Sequence, residues 1–121
     1  MFLKNCWYVA AYDRELEGNG PLGRMLLNEP VVMYRDSAGK AIALEDRCCH
    51  RQLPLSLGQV KGDRLQCGYH GLEFDDTGAC VNVPGQSMVP PGALIKSYPL
   101  AEKWGFLWIW MGDAVLADDS L

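Results

Sequence analysis

Two cysteines and two histidines carry the chemistry of this sequence. Cys48 and His50 form a Cys-x-His pair, and Cys67 and His70 form a Cys-x-x-His pair, with residues 51–66 between them. Thiolate sulfur and imidazole nitrogen are ligands for zinc and for iron. Two of each, on two short loops, suit one tetrahedral zinc ion or one [2Fe–2S] cluster. The two inner spacings favour the cluster, because each loop can then give its thiolate to one iron and its imidazole to the other. The formal charges show what histidine would do there. Two ferric ions, two sulfides and two thiolates sum to zero, whereas four thiolates leave a net negative cluster. A neutral cluster accepts an electron more readily, so its potential rises.

Short strands between turn signals must position those loops. Arg24–Leu27, Val31–Arg35 and Ala41–Leu44 read as strands, with Asp36-Ser37-Ala38-Gly39 as a hairpin turn between the last two. Val60 and Leu65 flank a tight reversal over residues 61–64. Asp75-Asp76-Thr77-Gly78 reverses the chain between Leu72–Phe74 and Ala79–Val81. Asn82 to Gly92, rich in proline and glycine, reads as an irregular loop. Leu94–Tyr98 and Phe106–Trp110 close the chain as strands, the latter too uniformly apolar for an exposed edge. Trp7 and Tyr8 tie the N-terminal end into the core. Apart from a turn near Asp13–Leu16, no sustained helical period is present. The class is all-β, with the two ligand loops rising from adjacent hairpins.

The sequence resembles the Rieske family at the four ligand positions. The likeness extends to Asn5–Ala11, Leu53-Pro54-Leu55-Ser56, His70–Asp75 and Leu107–Trp110, which look like the N-terminal domain of Rieske non-haem iron oxygenases such as vanillate and dicamba O-demethylases. The resemblance implies an antiparallel β-sandwich with a small cluster-binding subdomain made of two hairpin loops, spanning 1–121 as one domain. It implies a Rieske [2Fe–2S] cluster with Cys48 and Cys67 on one iron and His50 and His70 on the other. It also implies a reductase or ferredoxin as donor, and as acceptor the oxygenase catalytic domain, reached across a subunit interface in a homo-oligomer. A free-standing Rieske ferredoxin and a zinc-stabilised binding module are the alternatives.

Neighbouring residues carry two readings each. Tyr69 packs the loop or tunes the cluster by a hydrogen bond, and Arg51 is a surface cation or faces an acidic group on a redox partner. Gly68 and Gly71 let backbone pass close to the sulfides. Gly68 and Cys49 both stand where the family pattern has proline. Cys49 reads as a spectator thiol, and Cys6 and Cys80 as small apolar fillers. High-potential members of the family carry loop cysteines and a serine where this chain has Leu53, Tyr69 and Leu72. Fewer donors to sulfur leave the reduced cluster less stabilised, which implies a low-potential, oxygenase-type centre.

The totals set the limits. The chain has 121 residues, 49% hydrophobic and 21% charged, with a net charge of −4. That is one ordinary globular domain, without the basic cluster that nucleic acid binding needs and without a membrane-length apolar run. Five cysteines without a secretion signal suit a reducing, cytoplasmic setting rather than a disulfide framework. Only two histidines are present, and the cluster would use both. A mononuclear iron held by two histidines and a carboxylate therefore has no ligands here and would belong to a catalytic domain absent from this chain. No G-x-G-x-x-G motif offers a nicotinamide site. One-electron transfer remains.

Overall fold

The computed structural model describes residues 3–18, 20–49, 53–68, 71–85, 88–89 and 93–121. Among the described residues, eleven strands form three antiparallel sheets. Strands β1 (Cys6–Tyr12), β10 (Leu100–Lys103) and β11 (Phe106–Met111) make the first, with β11 in the centre. Strands β2 (Leu22–Leu26), β3 (Glu29–Arg35), β4 (Ala41–Glu45) and β9 (Ser97–Tyr98) make the second. Strands β5 (Gln59–Lys61), β6 (Arg64–Gln66), β7 (Glu73–Phe74) and β8 (Cys80–Asn82) make the third and smallest.

The second sheet is the middle layer, and its sequence shows why. Val31-Val32-Met33-Tyr34 is an unbroken apolar run, and all four residues are at most 1% exposed. Such a run suits a strand covered on both faces, since side chains alternate sides. Val31, Met33, Ala43 and Tyr98 meet Ala10, Leu107, Ile109 and Met111 of the first sheet. Val32, Tyr34, Ile42 and Leu44 meet Leu65, Phe74 and Cys80 of the third sheet, together with Cys48 and Cys67. The β-sandwich and its small appended subdomain thus share one sheet.

Turn chemistry is local and legible. Leu27-Asn28 and Trp104-Gly105 both have positive φ (49° and 62°, 58° and 79°), as a two-residue hairpin of matching twist requires. In two other reversals an aspartate organises the turn. Asp36 Oδ1 accepts from the Ala38 and Lys40 N–H groups, and Asp75 Oδ1 from Thr77 and Ala79. The Asp13–Leu16 turn is a single 3₁₀ turn. No helix among the described residues is long and apolar enough to cross a membrane.

Three strand readings change. The N-terminal segment is a full strand, hidden in the sequence because a register shift between Val9 and Ala11 turns both Ala10 and Ala11 inward and breaks the alternation. Leu100–Lys103 is the edge strand β10, although Ala, Glu and Lys are poor strand formers. Leu94–Tyr98 is not one strand but an isolated Ala79–Leu94 bridge followed by the short β9. Of the expected irregular loop, residues 86, 87 and 90–92 lie outside the described residues. Trp7 packs edge-on against Trp110 (ring centroids 5.4 Å apart) and donates its indole N–H to the Asp118 carbonyl, a packing role as expected.

Arg35 ties the middle sheet to the first through a two-pronged ion pair with Glu102 (2.9 Å at both oxygens). This guanidinium holds the Glu102 carboxyl below the ordinary glutamate range, against a smaller opposing effect of burial. A depressed folded-state pKa gives stability that is present above the unfolded value and lost as pH falls through the folded one. Acid titration of stability should therefore flatten slightly in Glu102→Gln, read by urea unfolding between pH 6 and 3. The effect is small because the pair is half exposed. Tyr34 offers a sharper test. Its hydroxyl is buried with no partner among the described residues. Tyr34→Phe should leave stability unchanged or raise it by about 1–3 kcal/mol, whereas Tyr34→Ala should cost about 3–5 kcal/mol in the same unfolding measurement.

Candidate metal centre

The first ligand loop runs from β4 to β5. Its base is closed by Asp46, whose two carboxylate oxygens accept from the Ser56 N–H and the Ser56 hydroxyl, both at 2.7 Å. Within it the Cys48 N–H donates to the Leu53 carbonyl at 2.8 Å. Pro54 fixes the chain into a 3₁₀ turn, Leu55–Leu57, and Leu55 is fully buried beneath it. The second ligand loop joins β6 to β7. There the Cys67 N–H donates to the Leu72 carbonyl at 2.7 Å, and the Gly71 N–H to the Cys67 carbonyl at 3.1 Å.

The two loops are closed alike. In each, the cysteine N–H reaches the carbonyl five residues on, and the expected histidine falls inside that bracket in the sequence: His50 between Cys48 and Leu53, His70 between Cys67 and Leu72. Cys48 (1% exposed) and Cys67 (4%) lie in one apolar cluster with Leu55, Leu65, Leu72 and Phe74. The sequence-predicted residues His50, Arg51, Tyr69 and His70 lie outside the described residues. Among the described residues no three His, Cys, Asp or Glu side chains gather as a metal site, and both histidines of the chain lie outside that set.

Glycine decides how closely the loops approach. A Cβ on Gly58, at the end of the first loop, would run into the Gln66 carbonyl oxygen and lie 3.1 Å from the Gly68 nitrogen. A Cβ on Gly68 would lie 3.1 Å from the Leu57 carbonyl oxygen. The loops therefore pack backbone on backbone. Gly71 has φ +75°, in the left-handed region that glycine enters without cost, and a Cβ there would press on Pro84 at 3.2 Å. Gly68 and Gly71 thus have reasons within the protein itself for lacking a side chain.

Burial pushes the Cys80 thiol up, with Cys48 and Glu73 adding to it, while the Asn82 carbonyl that accepts its S–H at 3.7 Å pulls the other way. Burial also pushes Cys49 up, and Cys80 adds to it. Leu53 and Leu72 offer carbonyls to the loops and neither an S–H nor an O–H to a sulfide. Two buried thiols on loops closed by the same hydrogen bond fit a [2Fe–2S] cluster.

The model of the Rieske [2Fe–2S] domain matches residues 6–99. The chain belongs to the Rieske [2Fe–2S] domain family. It is 54% identical, over 98% of its length, to the iron–sulfur subunit of a toluene-4-sulfonate monooxygenase system from Comamonas testosteroni. It is 49% identical, over its whole length, to a vanillate O-demethylase oxygenase subunit from a Pseudomonas species. A crystal structure of dicamba monooxygenase with non-haem iron and dicamba superposes on 97% of the chain with a TM-score of 0.90 and 46% identity, and 36% of that chain is covered. The chain spans 34% of the length of both sequence relatives. As a Rieske domain its cofactor is a [2Fe–2S] cluster, which displaces the zinc-module alternative, and these relatives are oxygenase components rather than ferredoxins.

Asp46, Ser56, Gly23 and Gly58 did not stand out in the sequence. Ser56 falls in a stretch quoted for its family likeness, but no local pattern links it to Asp46 or marks Gly58 as a crossing point. Gly58→Ala should force the two Rieske loops apart, cost about 1–3 kcal/mol in stability and lower iron and sulfide per chain. Gly20→Ala, with open space around it, should change neither.

Proposed function

We propose that this chain is the electron-relay domain of an oxygenase or O-demethylase that acts on an aromatic compound in the cytoplasm. Electrons arrive from a separate reductase or ferredoxin and leave to a mononuclear non-haem iron held by polypeptide outside these 121 residues, in a neighbouring subunit of a homo-oligomer. The observation that carries this reading is the pair of buried cysteines on loops closed by the same hydrogen bond, each bracket containing one histidine. When bound, the cluster supplies reversible one-electron storage.

The residues divide the work. Cys48 and Cys67 hold one iron from within the apolar cluster, where Leu55, Leu65 and Leu72 exclude water. His50 and His70 hold the other, each from within its loop bracket. Gly68 and Gly71 keep the backbone of the second loop free of side chains at that edge. Arg51 serves as a surface cation or pairs with an acidic group on a redox partner, and Tyr69 packs its loop or tunes the cluster by a hydrogen bond. With leucine at 53 and 72, the loops stabilise the reduced state less than serine- and disulfide-bearing loops would. The potential should fall in the lower part of the Rieske range of about −150 to +300 mV.

Electron paramagnetic resonance of the reduced protein is the deciding measurement. The wild-type chain should give a Rieske-type signal, and His50→Ala or His70→Ala should abolish it. A signal that survives either change would overturn the ligand set. The chain alone, given a competent reductase and ferrous iron, should not turn over any aromatic substrate. Turnover would show that its histidines are not both engaged by the cluster.

A further inference from the structure

We propose that Asp46 and Ser56 are positioning residues for the first ligand loop, acting through Cys48 on how firmly the cluster is held and at what potential. The proposal rests on the reading of Cys48 as a ligand. The two loops differ in what they need for closure. The second spans Cys67 to Leu72 and is held by backbone hydrogen bonds within one hairpin. The first runs from Asp46 to Gly58, crosses from the middle sheet to the small one, and is about twice as long. A longer loop costs more entropy to close, and backbone contacts near its tip cannot fix its base.

The Asp46–Ser56 clasp fixes that base. Both oxygens of one carboxylate accept from both donors of one serine, the charge-assisted kind of hydrogen bond that is stronger than a neutral one. The clasp is itself anchored: the Asp46 N–H donates to the Pro30 carbonyl at 3.0 Å, in β3, and the Arg47 N–H to the Glu45 carbonyl at 2.8 Å. Gly23 of β2 seals it from the third side. A Cβ there would lie 2.5 Å from Ser56 Oγ and 2.9 Å from Asp46 Oδ2, so no other residue fits over the closed clasp. Three strands of the middle sheet thereby set the take-off point of the loop, two residues before Cys48. Because Cys48 is buried against a close-packed core, a shifted take-off moves its sulfur rather than being absorbed. The clasp is part-buried, at the floor of a groove between Met25, Pro54 and Leu57, where reduced screening strengthens its hydrogen bonds.

The test compares Asp46→Ala, Asp46→Asn, Ser56→Ala and Gly23→Ala with the wild-type chain, and Gly18→Ala as a distant control. Three quantities are read: the rate of cluster loss to a chelator, the midpoint potential, and the resonance signal of the reduced protein. Asp46→Ala should lose its cluster about 10- to 100-fold faster, the usual effect of removing a partner that orients a ligand. Ser56→Ala should lie between it and wild type. The Asp46→Ala/Ser56→Ala double variant should be no worse than Asp46→Ala alone, as for two halves of one interaction. Asp46→Asn can still accept from the Ser56 N–H and donate to its hydroxyl oxygen. It should keep the cluster at close to the wild-type rate while its potential moves upward, since a negative charge near the site is gone. Gly23→Ala leaves both partners chemically unchanged and should reproduce the faster loss by wedging the clasp open. Wild-type loss rate, potential and signal in both Ser56→Ala and Gly23→Ala would overturn the positioning role and leave the ligand reading intact. A wild-type chain with no Rieske signal would overturn both.

Discussion

The central strands of the middle sheet, β3 and β4, are covered on both faces over Val31–Tyr34 and Ile42–Leu44, and the rest of the molecule follows from that. Val31–Tyr34 and Ile42–Leu44 send side chains to both sides, so a layer must cover each. The first sheet covers one side through Leu107, Ile109 and Met111. The other is covered by a sheet of two- and three-residue strands that is too small to have a core of its own. Its strands are stable because Leu65, Phe74 and Cys80 share the apolar cluster of the middle sheet. Cys48 and Cys67 of the two loops lie in the same cluster, so the cysteine side of the candidate site is part of the core.

Much of this was legible in the sequence because it is local. A continuous apolar run marked β3, paired aspartate–glycine turns marked two reversals, and the Cys-x-His and Cys-x-x-His pairs marked the site. What escaped was whatever depends on a distant partner. The bulge in β1 disguised a central pairing as an irregular patch. Strand β10 has the composition of a loop and is a strand because β11 pairs with it. Gly58 looks like any loop glycine until Gln66, eight residues on, is seen to occupy the space where a side chain would go. The same holds for Asp46, whose partner is ten residues away across a segment with no periodicity.

The site itself divides in the same way. Which residues are the candidate ligands is written in their types and spacing. How far apart the two loops stand is not, because that distance is set by backbone meeting backbone at Gly58 and Gly68 and by strands that belong to different sheets. The matching closures, Cys48 to Leu53 and Cys67 to Leu72, tie the ends of each loop together. Their separation is then a property of the tertiary packing.

Because the first loop leaves the middle sheet and the second lies within the small one, a cluster held by Cys48 and Cys67 would be a cross-link as well as a redox group. A group bonded to both Cys48 and Cys67 closes a covalent ring of about 20 residues, and in the chain-entropy view such a ring removes about 3 kcal/mol of freedom from the unfolded state. Most of that restraint falls on the small sheet, whose short strands contribute little by themselves. Loss of the iron by oxidation would thus loosen a structural layer together with the electron path.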